Sequence, residues 1–256
     1  MRFLPIAAAV LAGLSFAAGP RVLSAGELPA TCTAEPPVCP WEERFEEKKA
    51  RIAEGDVDLL FVGDSITHNW DDFGVPMRDY YYGGRKMANM GFGGDKTQHI
   101  LWRLENAPMN AICPKAAVVM GGINNLMDLE DPENTPENVA LGIKAIVNKL
   151  EELYPDIKIL VLYTFPAAAS PGHVFRARVA ETNARLLDLL QDDPQVRLKD
   201  INYLWFDENS VIPQNIMFDE LHPNAYGYWL WGQTVEPEIA NMLGDTPKPV
   251  PAAPQR

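Results

Sequence analysis

The feature that most narrows the possible folds is an alternation of short apolar runs with longer amphipathic segments. Val57 to Val62, Lys86 to Met90, Ala116 to Met120, Ile157 to Tyr163 and Val196 to Asp200 are short, carry β-branched or apolar residues and have Gly or Pro near their ends. That combination favours strand over buried helix. Between them apolar residues recur at helical spacing: Val139, Ile143, Ile146, Val147 and Leu150 form one stripe, and the segments Arg176 to Leu190 and Asn224 to Leu243 behave alike. Start signals agree, with Thr135-Pro136 reading as an N-cap and a first-turn proline, and Asp95 with Gln98 as a capping box. A chain that alternates strand and helix in this way makes a parallel sheet covered on both faces. The expected fold is α/β, three layers around a five-stranded parallel sheet.

The ends of the chain read differently from its middle. MRFLPIAAAVLAGLSFAAGP has one early Arg, an apolar stretch from Phe3 to Ala18 and small residues suited to cleavage. Its apolar run is shorter than the ~20 residues that span a bilayer, so residues 1–25 are read as a signal peptide. The protein is expected to be secreted or periplasmic, without stable membrane insertion once the peptide is cleaved. Residues 26–40 read as a Pro-rich linker, 41–244 as the folded domain, and 245–256 as a disordered Pro-rich tail. Cys32 and Cys39, close together in TCTAEPPVCP, could pair and staple the linker, and Cys113 reads as a buried thiol. The length of 256 residues and a hydrophobic content of 47% suit a single large core, while a net charge of -13 opposes binding to nucleic acid.

In an open α/β sheet, ligands bind just beyond the carboxyl ends of the strands. Three runs end in turns with chemical potential: Gly63-Asp64-Ser65, Asn89-Met90-Gly91-Phe92-Gly93-Gly94-Asp95 and Met120-Gly121-Gly122-Ile123-Asn124-Asn125. Parallel strands point the same way, so all three open on one edge. Alone, Ser65 reads as well as a helix cap. As a nucleophile it needs a base, a group orienting that base and donors for an oxyanion. Of His68, His99, His173 and His222, only His222 has a carboxylate placed to orient it, Asp219 three residues earlier. Asp219 can hold Nδ1 while Nε2 takes the Ser65 proton, and Pro223 keeps His222 in the turn before the last helix. The backbone N–H groups of Ser65 and Gly91, with the Asn124 side chain, then supply three oxyanion donors.

Other residues receive plainer readings. Asp64 braces the nucleophile turn, Asn125 fixes its own turn, and Gly93 and Gly94 serve helix entry. His68 is close enough to line the site, whereas His99 is peripheral and His173 exposed. The acidic groups at Asp71-Asp72 and Asp128 to Asp131 match no calcium loop, and no metal or cofactor is expected. Trp70, Phe73 and Tyr80-Tyr81-Tyr82 fit core packing and, alternatively, a sugar-stacking wall.

Taken in order, GDSIT, the Gly91 turn, Gly122 to Asn125 and Asp219-x-x-His222 resemble the four motif blocks of the SGNH, or GDSL, hydrolase superfamily. GGDKTQHILWRLENA and NTPENVALGIKAIV are similar to the platelet-activating-factor acetylhydrolase catalytic-subunit branch and its bacterial secreted relatives. The resemblance covers about residues 57–243. It implies a flavodoxin-like fold, a serine esterase without metal or cofactor, and Ser65, Gly91, Asn124 and His222 as the four name-giving positions with Asp219 completing the triad. It also allows a homodimer. Pro166 is followed by Ala167-Ala168-Ala169 where that branch often carries a basic residue. The expected activity is hydrolysis of short-chain esters, above all acetyl, on a carbohydrate or other small molecule, because no long insertion is present to cover a long acyl chain. The alternatives are a lipase- or thioesterase-like hydrolase and a non-catalytic carbohydrate-binding module.

Overall fold

The computed structural model describes residues 28–255, so the expected signal peptide lies outside the described residues. Strands β1 (Leu59–Gly63), β2 (Met87–Gly91), β3 (Ala116–Met120), β4 (Lys158–Leu162) and β5 (Val196–Lys199) form one parallel sheet in the order β2-β1-β3-β4-β5. All five expected runs are strands. β1 and β3 are buried along their whole length, which explains why they read as continuous apolar runs rather than alternating ones.

Helix α1 (Glu42–Ala53) precedes the sheet; α2 (Ser65–His68) and α3 (Val75–Tyr82) follow β1, and α4 (Thr97–Asn106) follows β2. Next come α5 (Ile123–Met127) and α6 (Pro136–Leu153) after β3, α7 (Val174–Leu190) after β4, and α8 (Ala225–Leu243) after β5. Right-handed crossovers put α4, α6 and α7 on one face and α3 and α8 on the other, giving the flavodoxin-like three layers. The winding reverses between β1 and β3. The ends of those two strands therefore flank a crevice that no crossover covers, and Ser65 and Asn124 emerge there.

Of the two expected helix starts, the one at Thr135 is present, and the structure adds a cap at Asn224. Thr135 Oγ1 accepts the Asn138 N–H at 3.1 Å, and Asn224 Oδ1 accepts the Gly227 N–H at 3.0 Å. The start of α4 differs: the N-cap is Lys96, whose N–H donates to His99 Nδ1 at 3.1 Å. Asp95 is not the cap because Arg103 holds its carboxylate through Nε at 2.9 Å and Nη2 at 3.1 Å. Trp70, Tyr81 and Tyr82 are fully buried beside Tyr228 and Trp231, so of the candidate wall these three belong to the core between α3 and α8.

The described parts of the two Pro-rich segments lie against the domain, unlike the loose linker and tail expected. Thr31 Oγ1 donates to Asn138 O at 2.7 Å, and Thr97 Oγ1 donates to Thr31 O at 2.8 Å. At the other end Tyr80 Oη donates to Pro249 O at 3.0 Å and Trp229 Nε1 to Pro251 O at 2.9 Å. Proline cannot extend a ladder but keeps its carbonyl, and here side-chain donors use those carbonyls. Cys32 and Cys39 are free thiols, so the expected staple is not formed, and Cys113 is exposed rather than buried. Arg103 ties the segment down instead, donating through Nη1 to Pro40 O at 2.8 Å and through Nη2 to Cys39 O at 3.1 Å.

Candidate active site

Ser65 is the first residue of α2, but it is not the cap. Asp64 takes that place, its Oδ1 accepting the Ile66 N–H at 3.0 Å, which leaves the Ser65 hydroxyl free of the helix end. His222 Nε2 stands 2.8 Å from Ser65 Oγ, and His222 Nδ1 stands 2.6 Å from Asp219 Oδ2. With the proton on Nδ1 facing the carboxylate, Nε2 presents its lone pair to the hydroxyl. Asp219 Oδ1 also accepts the backbone N–H groups of His222 at 2.7 Å and Leu221 at 3.2 Å. Burial pushes the Asp219 carboxyl up, but the hydrogen bonds from the His222 ring and backbone outweigh it and hold the group below its usual value.

The three-residue spacing from Asp219 to His222 works because the chain closes on itself. Glu220 sits in the left-handed region at φ 64°, and Met217 bridges Pro223 in antiparallel fashion. Glu220 also latches this turn to the loop after β4: its carbonyl accepts from Ala168 N at 3.1 Å and its Oε2 from Ala169 N at 2.9 Å. The Ala167 to Ala169 stretch thus supports the histidine turn through backbone donors.

The oxyanion side corrects one expectation. A Cβ on Gly91 would lie 2.3 Å from His68 N, so glycine is needed for β2 and α2 to approach. Its N–H, however, already donates to Asn89 Oδ1 at 2.9 Å, and its carbonyl accepts from Arg44 Nε at 3.0 Å. Gly91 therefore has no free backbone donor for an oxyanion. Gly93 N–H is engaged as well, donating to His68 Nδ1 at 3.2 Å. The exposed Gly94, at φ 80°, has an N–H that meets no acceptor among the described residues. Asn124 Nδ2 gives one hydrogen to Asp95 O at 2.9 Å, which ties the end of β3 to the Gly94-Asp95 turn and leaves its second amide hydrogen. Ser65 N–H, at the first helical position, has no partner within α2.

Behind these donors lies a buried polar network. Asn125 accepts the Thr97 N–H at 3.0 Å and donates to Gln98 Oε1 at 3.0 Å and Asn134 Oδ1 at 2.9 Å, which fixes α5 against α4. Asp95 and Arg103 are each 1% exposed; burial lifts the Asp95 carboxyl to about 6 against the opposing pull of Arg103. Asp64 is buried with Oδ2 unpartnered among the described residues, and burial lifts it to about 7. Burial, then the nearby Arg44, lowers His68 to about 4, so its Nδ1 remains an acceptor for Gly93 at neutral pH. His99 and His173 are helix-start residues, the latter accepting the Phe175 N–H at 3.3 Å.

Sequence reasoning missed the clasp around the Gly93-Gly94 turn. Trp41 Nε1 donates to Gly93 O at 2.8 Å, and its ring meets His68 edge-on at 5.0 Å. Arg103 holds Cys39, Pro40 and Asp95 together while lying 3.8 Å above the Phe92 ring. The available signal was Arg103 itself, a charge on the buried stripe that carries Ile100 and Leu104. Phe218, next to Asp219, was also passed over.

Among the described residues, no group of three or more His, Cys, Asp or Glu is arranged to hold a metal ion, and no helix is long and apolar enough to cross a membrane. Residues 61–230 match the GDSL-like Lipase/Acylhydrolase family. The platelet-activating factor acetylhydrolase IB subunit alpha2 of Homo sapiens is 35% identical over 191 residues, covering 75% of this chain and 80% of that protein. Its Gallus gallus counterpart is 31% identical over 213 residues, covering 83% and 89%. The fold is shared with a GDSL-like lipase from Bacteroides thetaiotaomicron, with TM-score 0.61, 17% identity, and 78% of this chain and 97% of that one covered. It is shared too with an acetylxylan esterase from Geobacillus stearothermophilus, with TM-score 0.56, 16% identity and coverage of 73% and 94%.

Proposed function

This chain belongs to the GDSL-like lipase/acylhydrolase family and is a carboxylic ester hydrolase, and from that premise we propose that it is a secreted serine esterase removing acetyl and other short acyl groups from a carbohydrate or similar small alcohol. The observation that carries the mechanism is the run of contacts Ser65 Oγ to His222 Nε2 at 2.8 Å and His222 Nδ1 to Asp219 Oδ2 at 2.6 Å. Ser65 Oγ attacks the ester carbonyl carbon while His222 takes its proton and Asp219 steadies the resulting imidazolium. The carbonyl electron pair moves onto oxygen, where the N–H groups of Ser65 and Gly94 and the second amide hydrogen of Asn124 receive it. Gly94 replaces Gly91 as backbone donor because the Gly91 N–H is engaged by Asn89. The tetrahedral species collapses, His222 protonates the departing alcohol, and an acyl-Ser65 remains. Water then repeats the sequence, losing a proton to His222 as it attacks, and the acid leaves as Ser65 regains its proton.

A short acyl group suits the open setting of the reactive pair, with the Asp219 side chain 41% and that of His222 19% exposed. The names of an acetylhydrolase relative and an acetylxylan esterase neighbour also support acetyl. Hydrolysis of p-nitrophenyl acetate, butyrate and octanoate by wild type and Ser65→Ala tests the reading. Preference for acetate, lost in the variant, is the expected outcome; a rate rising toward octanoate would instead support a longer-chain hydrolase. Residues 1–25 are proposed to be cleaved on export, which N-terminal sequencing of exported protein checks.

A further inference from the structure

Two phenylalanines stand in solvent beside the proposed catalytic histidine. Phe73 is 45% and Phe218 41% exposed, and their ring centroids are 5.0 Å apart. The Phe218 ring also stacks on the His222 imidazole, 6.1 Å away with 21° between the planes. Both positions are held from behind. After Phe73, the backbone at Gly74 is pressed so close to the core that a Cβ would fall 2.8 Å from Trp70 Cα and 3.0 Å from the Tyr228 ring. That core is full, and the Phe73 ring stays outside it. Phe218 follows Met217, which is fully buried and bridges Pro223, so alternation along this short extended piece turns Phe218 away from the core.

Adjoining exposed aromatics on fixed backbone form an apolar surface that a ligand can cover. Its position selects which half of an ester it meets. The acyl oxygen points to Ser65, Gly94 and Asn124, whereas the departing alcohol oxygen must face His222 Nε2 to receive its proton. Phe218 stacks on His222 and Phe73 adjoins Phe218, so the pair lies on the alcohol side. Trp41, another exposed aromatic, is bound instead to the Gly93 turn, next to the proposed oxyanion donor Gly94. Among the described residues no Lys or Arg lies over either phenylalanine ring, which suits an alcohol that is uncharged and has a flat apolar face, as a pyranose ring has; the net charge of -13 disfavours an anionic headgroup.

We propose that Phe73 and Phe218 form the platform on which the sugar ring of an acetylated carbohydrate, the alcohol half of the substrate, stacks during deacylation. The inference rests on the esterase reading above. The test keeps the acyl group constant and changes only the alcohol, comparing kcat/KM for fully acetylated xylopyranose with that for methyl acetate by titrating released acid. In Phe73→Ala the sugar-to-methyl ratio is expected to fall about threefold to tenfold, mainly through KM, the range a stacked ring supplies. Phe218→Ala should lower the same ratio, and Phe73→Tyr should restore most of it. A ratio unmoved in both alanine variants overturns the platform; if the variants also shift from dimer to monomer on gel filtration, the pair is a contact between two copies. A wild type active on methyl acetate but not on the sugar ester overturns the platform alone, and one active on neither overturns the esterase reading with it.

Discussion

Ser65, Gly94 and Asn124 stand on or next to the ends of buried strands, backed by Asp64, Asn125 and the Asp95–Arg103 pair, all nearly inaccessible to solvent. Asp219 and His222 stand on an exposed turn, held by the Asp219 carboxylate and by two contacts of Glu220 with Ala168 and Ala169. The difference follows from what each half would do. Oxyanion donors help only if they are aimed before charge develops, so rigidity is their function. A histidine that gives and takes protons needs access to the alcohol and to water. Damage to the first half should therefore spread into stability, and damage to the second should remain in catalysis.

The largest effect expected is on turnover alone. Ser65→Ala or His222→Ala should lower kcat by on the order of 10⁴ to 10⁶, with the melting temperature of the His222 variant nearly unchanged because the turn is anchored by buried Met217 and Pro223 while the His222 side chain is partly exposed. A His222→Ala variant that unfolds would break the contrast between the halves. Arg103→Met, by comparison, leaves Asp95 buried without its partner and should cost about 3 to 5 kcal/mol of stability in denaturant unfolding. Unchanged stability there would show that the oxyanion side is not anchored through that pair. Asn124→Ala should reduce kcat by about 10² to 10³ with little change in KM, the size seen when one oxyanion donor is lost.

A smaller effect concerns pH. Burial raises Asp64 from 3.8 to about 7, so the protonated form fits the fold better. Its contribution to stability is complete below the ordinary value and disappears as pH rises through about 7. Asp95, raised to about 6 mainly by burial, has the same sign, whereas the lowered Asp219 and Asp71 contribute above their ordinary range and lose this only in acid. Melting temperatures measured between pH 5 and pH 8 should thus decline less steeply in Asp64→Asn than in wild type; parallel curves would contradict the assignment. The smallest expected change is in Glu220→Ala, which loses the side-chain latch to Ala169 and should cost about 1 kcal/mol or less, visible mainly as a modest fall in kcat.

What was legible in the sequence was local. Strand ends are marked by glycines, one helix start by Thr135-Pro136, and the Asp219 to His222 spacing is one turn of chain, so the proposed nucleophile, base and orienting acid could be named from neighbouring residues. The same local logic misjudged Asp95 as a cap, because its partner Arg103 reaches back from within α4. It also chose Gly91 over Gly94. Both are strand-end glycines in sequence, and only the curl of Asn89 onto the Gly91 N–H distinguishes an engaged donor from a free one.

The remaining features join residues far apart in the chain. Trp41 reaches Gly93, Tyr80 and Trp229 hold the Pro-rich tail, and Phe73 meets Phe218 beside His222. Sequence by itself determined the fold class, the order of elements and the residue types available at the sheet edge, since periodicity and backbone preference act between near neighbours. Tertiary structure alone decided which donors remain free, which charges are paired and which aromatics face water, because each outcome depends on surfaces that distant segments create only when they pack together.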